Sequence, residues 1–127
     1  VKLKVEDIKK DGFGLEPKFS CFVVEASDII VGIALYYPRY STWEGPTLHL
    51  EDLIVSQNYR GKGIGKQLYS SFIKEAISLG MNRAEWAVLN WNEKAIKFYK
   101  NTGANILNDW RTVQMSKKQM LKFIKTI

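Results

Sequence analysis

Residues 58 to 68 read "NYRGKGIGKQL", a stretch in which three glycines, Gly61, Gly63 and Gly65, are interleaved with the cations Arg60, Lys62 and Lys66. Glycines let backbone N–H groups approach a ligand with no β-carbon in the way, and the cations supply countercharge. If a helix starts here, its first turn adds unpaired N–H donors and a partial positive charge, an arrangement that suits a pyrophosphate. The two familiar phosphate fingerprints do not fit. There is no G-x-x-x-x-G-K-[ST], and G-x-G-x-x-G fails because Gly63 and Gly65 are followed by Leu68. A second chemical feature lies just upstream, where "HLEDLIV" sets the carboxylates Glu51 and Asp52 side by side. Such a pair can accept a proton or hold a cation.

Both features need elements to position them, and the pattern supplies these in alternation. "VEDIKKDGFG" reads as the end of a helix stopped by Gly12 and Gly14. "KFSCFVVEA" and "IIVGIALYYP" are β-branched and aromatic runs around a turn at Ser27 and Asp28, which predicts a hairpin. After the turn residues of "YSTWEGP", "TLHLEDLIV" is a third strand. Ile64, Leu68, Phe72, Ala76 and Leu79 then recur at spacings of three and four, an amphipathic helix ended by Gly80. "AEWAVLN" is a fourth strand, Asn92 caps a helix running to about Thr102 and stopped by Gly103, and "WRTVQMS" is a late strand. Antiparallel strands followed by a strand, helix, strand crossover define a mixed α/β sheet, so the glycine turn joins a strand to a helix N-terminus.

Composition narrows the function classes. The 127 residues, 46% hydrophobic and 25% charged, suit one globular domain. The longest apolar run, "IIVGIALYY", is far too short to span a bilayer, which predicts a cytoplasmic protein with no membrane partner. Cys21 is the one cysteine, which excludes an intrachain disulfide and a cysteine-based zinc site; it is expected to pack as a small hydrophobe. The net charge of +6 comes from the C-terminal third, where Lys94, Lys97, Lys100, Arg111, Lys117, Lys118, Lys122 and Lys125 face Asp109 alone. In "KKQMLKFIKTI" those lysines fall mostly opposite Met120, Phe123, Ile124 and Ile127, as on a solvated helix face. That distribution argues against a nucleic-acid partner.

Arg60-Gly61-Lys62-Gly63-Ile64-Gly65 matches R-x-x-G-x-G and resembles the acetyl-coenzyme A signature of the GNAT-superfamily N-acetyltransferases. Three further blocks, "DGFG", "YSTWEGPTLHLEDLIV" and "AVLNWNEKAIKFYKNTGA", are similar to those of the diamine acetyltransferases, the group holding spermidine/spermine N-acetyltransferase and its thialysine-preferring relative. Several blocks in order are far more specific than one. The resemblance implies a GNAT fold in a single domain over residues 1–127, a mostly antiparallel mixed sheet flanked by helices. Because the matched blocks start just before "DGFG", it also implies that the family's first strand and first helix are missing from this chain.

What the resemblance implies about residues is specific. The turn Arg60, Gly61, Lys62, Gly63, Ile64, Gly65 and Lys66 would hold the coenzyme A pyrophosphate, main-chain groups of Leu53, Ile54 and Val55 would pair with the pantetheine arm where adjacent parallel strands splay, and Asn92 joins the cofactor set. Tyr99 matches the tyrosine beside the sulfur; a phenol with a pKa near 10 can protonate a departing thiolate. Glu51 is the implied base, acting through water, and Asp52 and Trp43 help hold a cationic amine. No metal is implied, and a homodimer is.

The residues themselves leave two points open. Strand alternation places Asp52 on the face of Leu48, Leu50 and Ile54, so either a β-bulge re-aims it or it is buried with a partner. Trp43 is either an aromatic face for an ammonium or a hydrophobic anchor for its loop. His49 shares a face with Glu51 but is left out of the catalytic set, a lone histidine there being more often satisfied or exposed.

Substrate preference turns on one departure. The polyamine enzymes carry an acidic residue and a proline where this chain has Ser41 and Thr42, and "YSTW" is closer to the thialysine-preferring branch. The expected reaction is transfer of acetyl from acetyl-coenzyme A to a small amine such as thialysine, a lysine-like amine or a short diamine, in preference to spermine. Two alternatives are a protein lysine or N-terminal acetyltransferase, which needs an open groove, and a non-enzyme coenzyme A sensor or nucleic-acid module.

Overall fold

The computed structural model describes residues 3–127, which fall into two compact units, one ending at Ala87 and one spanning residues 88–127. The first unit opens with α1 (Val5–Phe13), whose Lys4 N–H is accepted by Asp7 Oδ2 at 3.0 Å. Gly12 lies inside this helix; the stop is Gly14, whose N–H reaches Lys10 O at 3.1 Å.

β1 (Ser20–Ala26) and β2 (Ile29–Ser41) form the expected hairpin. Its turn residues Ser27 and Asp28 both have positive φ, 50° and 65°, the left-handed pair whose twist matches that of the flanking strands. β2 returns antiparallel into β3 (Gly45–Val55), and Ser41 stands opposite Gly45. The Ser41 hydroxyl closes that turn by accepting the N–H groups of Trp43 and Glu44 at 3.1 and 3.0 Å. β4 (Arg83–Glu85) adds in parallel on the far side of β3, giving the order β1-β2-β3-β4. The mixed, mostly antiparallel sheet is therefore as expected.

α2 (Ile64–Ser78) covers one face of the sheet. Its Leu68, Phe72 and Ala76 pack with Ala34, Tyr36, Leu48 and Leu50, and Phe22, Val24, Leu53, Val55 and Trp86 close around them. Gly32 allows this approach, because a β-carbon there would lie 3.0 Å from Leu68 Cδ1 and 3.1 Å from Ile64 Cγ2. Leu79, read as part of the apolar stripe, is 54% exposed, since the helix ends one residue before it.

Three expectations fail here. Cys21 is exposed: Phe22 and Val24 are the β1 residues that turn toward α2, so alternation puts the thiol on the other face. The fourth strand stops at Glu85 rather than running to Asn90, and the next residue, Trp86, sets its ring against Tyr69 and Phe72, with centroids 5.4 and 6.1 Å away. "WRTVQMS" forms no strand. Within its unit no other strand exists among the described residues to pair with it, and an unpaired strand leaves its backbone donors and acceptors unsatisfied.

The second unit holds α3 (Glu93–Asn101) and α4 (Lys117–Ile124). Asn92 caps α3 as expected, its Oδ1 accepting the Ala95 N–H at 3.2 Å, and Gly103 ends it with φ +99°. Ser116 and Gln119 form a reciprocal capping box at the start of α4. No helix among the described residues is long and apolar enough to cross a membrane.

Candidate active site

The glycine turn sits between β3 and α2, as its sequence position predicts. A short 3₁₀ turn (Gln57–Tyr59) follows β3, and Arg60 reaches back with its Nε to donate to Val55 O at 3.0 Å, tying the turn to the strand end. Gly61 and Gly63 have φ of +78° and +82°, conformations that L side chains rarely adopt. A β-carbon on either would meet nothing within 4 Å, so the backbone there borders open space at the helix start. Gly63 is the N-cap of α2, and the first bond into the helix is Gln67 N–H to Gly63 O at 3.0 Å. The amides of Ile64, Gly65 and Lys66 therefore have no partner within the helix. Positive backbone dipoles, open space and the Arg60 and Lys66 charges fit a pyrophosphate. Lys62 lies over the Tyr59 ring at 5.2 Å, which positions its ammonium beside the same turn.

β3 offers a second feature suited to a long ligand. Its parallel pairing with β4 covers only Thr47 to His49, whereas its antiparallel pairing with β2 continues to Val55. Residues 50 to 55 thus keep one ladder edge with no strand partner among the described residues. Leu53, Ile54 and Val55 lie on that edge. Leu53 and Val55 pack toward the core, whereas Ile54 is 50% exposed.

Between these features the strand is irregular. Leu35 pairs with Asp52 and Tyr36 with Leu50, so Glu51 is the extra residue of a β-bulge. Before the bulge, Leu48 and Leu50 face the core; after it, Leu53 and Val55 do. The alternation read from sequence, which grouped Asp52 and Ile54 with Leu48 and Leu50, is overturned, and the bulge is the reason. Glu51 and Asp52 are both exposed on the face opposite α2.

Glu51 is held in place. Tyr37, opposite His49 on β2, donates its phenol hydrogen to Glu51 Oε1 at 2.7 Å. That bond, followed by burial and the charge of Glu51, pushes the Tyr37 pKa up to about 12. The His49 ring lies tilted against Tyr37 with centroids 5.1 Å apart, and its Nε2 lies 3.9 Å from Glu51 Oε1. Its Nδ1 is 3.1 Å from Glu85 Oε1, and Glu85 is also paired with Arg39 and Arg83. Tyr37, Arg39 and Glu85 were missed in the sequence. Their signal is only the turn register, which sets Tyr37 opposite His49 once Ser41 is known to face Gly45.

Trp43 is 94% exposed at the tip of the β2–β3 turn, so it anchors no loop within its unit. Tyr99, half-buried on α3, meets Phe98 edge-to-face with centroids 5.6 Å apart, and Asn92 commits its Oδ1 to the helix cap. These two belong to the second unit, and Glu51, Asp52 and the glycine turn to the first. No group of three or more His, Cys, Asp or Glu side chains that could hold a metal ion occurs among the described residues.

This arrangement, a glycine turn at a helix N-terminus beside a bulged strand with one free edge, coincides with a family match. The acetyltransferase (GNAT) family model matches residues 3–104. The chain belongs to that family and is an acetyltransferase. Among proteins of known activity, it is 39% identical over 117 residues to thialysine N-epsilon-acetyltransferase from Mus musculus, covering 86% of this chain and 69% of the relative. It is 33% identical to spermidine/spermine N(1)-acetyltransferase-like protein 1 from Homo sapiens, covering 95% of this chain and 19% of that longer protein. Of solved structures, an integron cassette protein from V. cholerae superposes with a TM-score of 0.80 at 25% identity, over 97% of this chain and 79% of that one.

Proposed function

We propose that this acetyltransferase moves the acetyl group of acetyl-coenzyme A to the primary amine of a small cationic substrate, by direct attack in a ternary complex. Thialysine, a lysine-like amine or a short diamine is favoured over spermine. The observation that carries the substrate class is the exposed carboxylate pair Glu51 and Asp52, brought to one face by the bulge. The 39% identity to a thialysine N-epsilon-acetyltransferase supports the same choice.

Bound acetyl-coenzyme A supplies an activated thioester carbonyl. The N–H groups of the turn from Arg60 to Lys66 hold its pyrophosphate, and the free edge of β3 at Leu53, Ile54 and Val55 lines its pantetheine arm. Glu51, fixed by Tyr37, takes the proton of the substrate ammonium through water. Asp52 and the face of Trp43 hold the cation. Tyr99 donates a proton to the departing sulfur, a task suited to a phenol. One GNAT domain over the whole chain, a homodimer with sites near the subunit boundary and a cytoplasmic location complete the proposal.

An amine panel incubated with acetyl-coenzyme A and followed by mass spectrometry tests it. Single acetylation of thialysine and short diamines is expected. Acetylation confined to protein lysines or N-termini would overturn the substrate class.

A further inference from the structure

The face that carries Glu51 also carries a charge network that the reaction as proposed does not use. Its centre is His49, half-buried on β3 and the one histidine of the chain. Glu85 on β4 has a guanidinium on each oxygen, Arg39 of β2 on Oε1 and Arg83 of β4 on Oε2. A carboxylate so paired accepts hydrogen bonds, so the contact of His49 Nδ1 with Glu85 Oε1 at 3.1 Å places the imidazole hydrogen on Nδ1. The other nitrogen, Nε2, is thereby the one that gains or loses a proton, and it lies 3.9 Å from Glu51 Oε1. Tyr37 packs against the ring and donates to the same Glu51 oxygen. Glu51 Oε1 thus faces both Tyr37 and His49. Around the ring, the charged or titratable groups are Glu51 on its own strand, Tyr37 and Arg39 on β2, and Glu85 and Arg83 on β4.

We propose that His49 is a positioning residue whose protonation sets how strongly Glu51 holds the substrate ammonium. With Nε2 protonated, the imidazolium pairs with Glu51 and competes with the amine. With Nε2 bare, Glu51 presents its full charge to the substrate. Glu85 makes this work by fixing the tautomer, and Arg39 and Arg83 keep Glu85 itself from serving the amine. The inference rests on the reading of Glu51 as an amine-side carboxylate.

His49→Gln tests it, because glutamine can still hydrogen-bond Glu85 but does not titrate. The ratio of amine KM in the unmodified protein to that in the variant should be about fivefold larger near pH ~6 than near pH ~8, the weight of one partly exposed charge pair across the range where imidazole titrates. A ratio that does not change with pH would overturn the role. A measurement on the unmodified protein guards against misfolding of the variant. As the chain has a single histidine, its ring protons report alone in NMR, and by linkage saturating short diamine should shift their titration to lower pH. No shift would also overturn it. Glu51→Gln separates the two levels: turnover unchanged in that variant sinks the reading of the site, whereas lost turnover with a pH-independent His49→Gln ratio sinks only the role of His49.

Discussion

Tyr37 donates its phenol hydrogen to Glu51 across the β2–β3 pair at 2.7 Å, and this bond fixes the carboxylate that is the extra residue of the bulge. Tyr37→Phe should lower turnover about threefold to tenfold, the scale of one solvent-exposed hydrogen bond, with acetyl-coenzyme A affinity unchanged. Because the bond to Glu51 pushes the phenol pKa up to about 12, the donor persists through any ordinary assay pH. Steady-state kinetics would check the first point, and loss of one late-ionising phenol in an ultraviolet titration the second.

Gly63 has φ +82° and open space around it. Gly63→Val should weaken acetyl-coenzyme A binding by at least about tenfold, since its side chain stands where phosphate must approach the backbone, and cost about 1–2 kcal/mol of stability from the left-handed backbone. Gly63→Asn tolerates that backbone better and separates the two effects. Calorimetric titration with acetyl-coenzyme A decides; a folded Val variant with unaltered affinity sinks the cofactor assignment.

Tyr99→Phe removes only a hydroxyl from α3. Turnover should fall at least about tenfold, roughly 1.4 kcal/mol of barrier, while acetyl-coenzyme A affinity is retained. If turnover holds, the thiolate takes its proton from another donor.

Ser41 closes the β2–β3 turn by accepting two N–H groups, a task that an aspartate side chain also performs. Ser41→Asp should therefore leave the turn intact and raise kcat/KM for spermine by about 1 kcal/mol through one added, partly exposed charge. The unmodified protein should favour short amines over spermine in direct competition; the reverse order contradicts the substrate preference.

Tyr36, buried in the core, donates to Glu75 Oε2 at 3.1 Å. Burial first, then that bond, raises its pKa from the ordinary 10.0 to about 12. A raised pKa means that the folded state holds the proton more tightly, so the stabilisation is whole below pH 10 and is lost as pH climbs through about 12. Tyr36→Phe should cost about 1–2 kcal/mol at neutral pH and flatten the fall in melting temperature over that alkaline window. Thermal melts across the window would show an equal slope if the phenol plays no part.

Local features were legible in the residues because their causes are local. Ser27 and Asp28 make the hairpin turn by tolerating positive φ, Asn92 caps α3 with its own side chain, and Gly61 and Gly63 bare the backbone of the turn wherever the chain carries it. The stripe Leu68, Phe72, Ala76 faces the core because helical period alone aligns it. Features needing a partner were not legible. "WRTVQMS" has strand-forming residues and no strand beside it among the described residues of its unit, and "AEWAVLN" pairs only as far as Glu85, where Trp86 turns to the core.

The same division runs through the site. The types and order of its residues, a glycine turn after a carboxylate pair among further blocks in order, are properties of the chain, and they carry its resemblance to the acetyltransferase family. Which way Asp52 faces was decided by one register shift opposite Leu35 and Tyr36, since a single extra residue reverses every side chain that follows it. Tyr37, His49, Arg39 and Glu85 come from three strands, and only their pairing sets them around Glu51. Side-chain periodicity belongs to one strand, whereas a charge network belongs to the sheet.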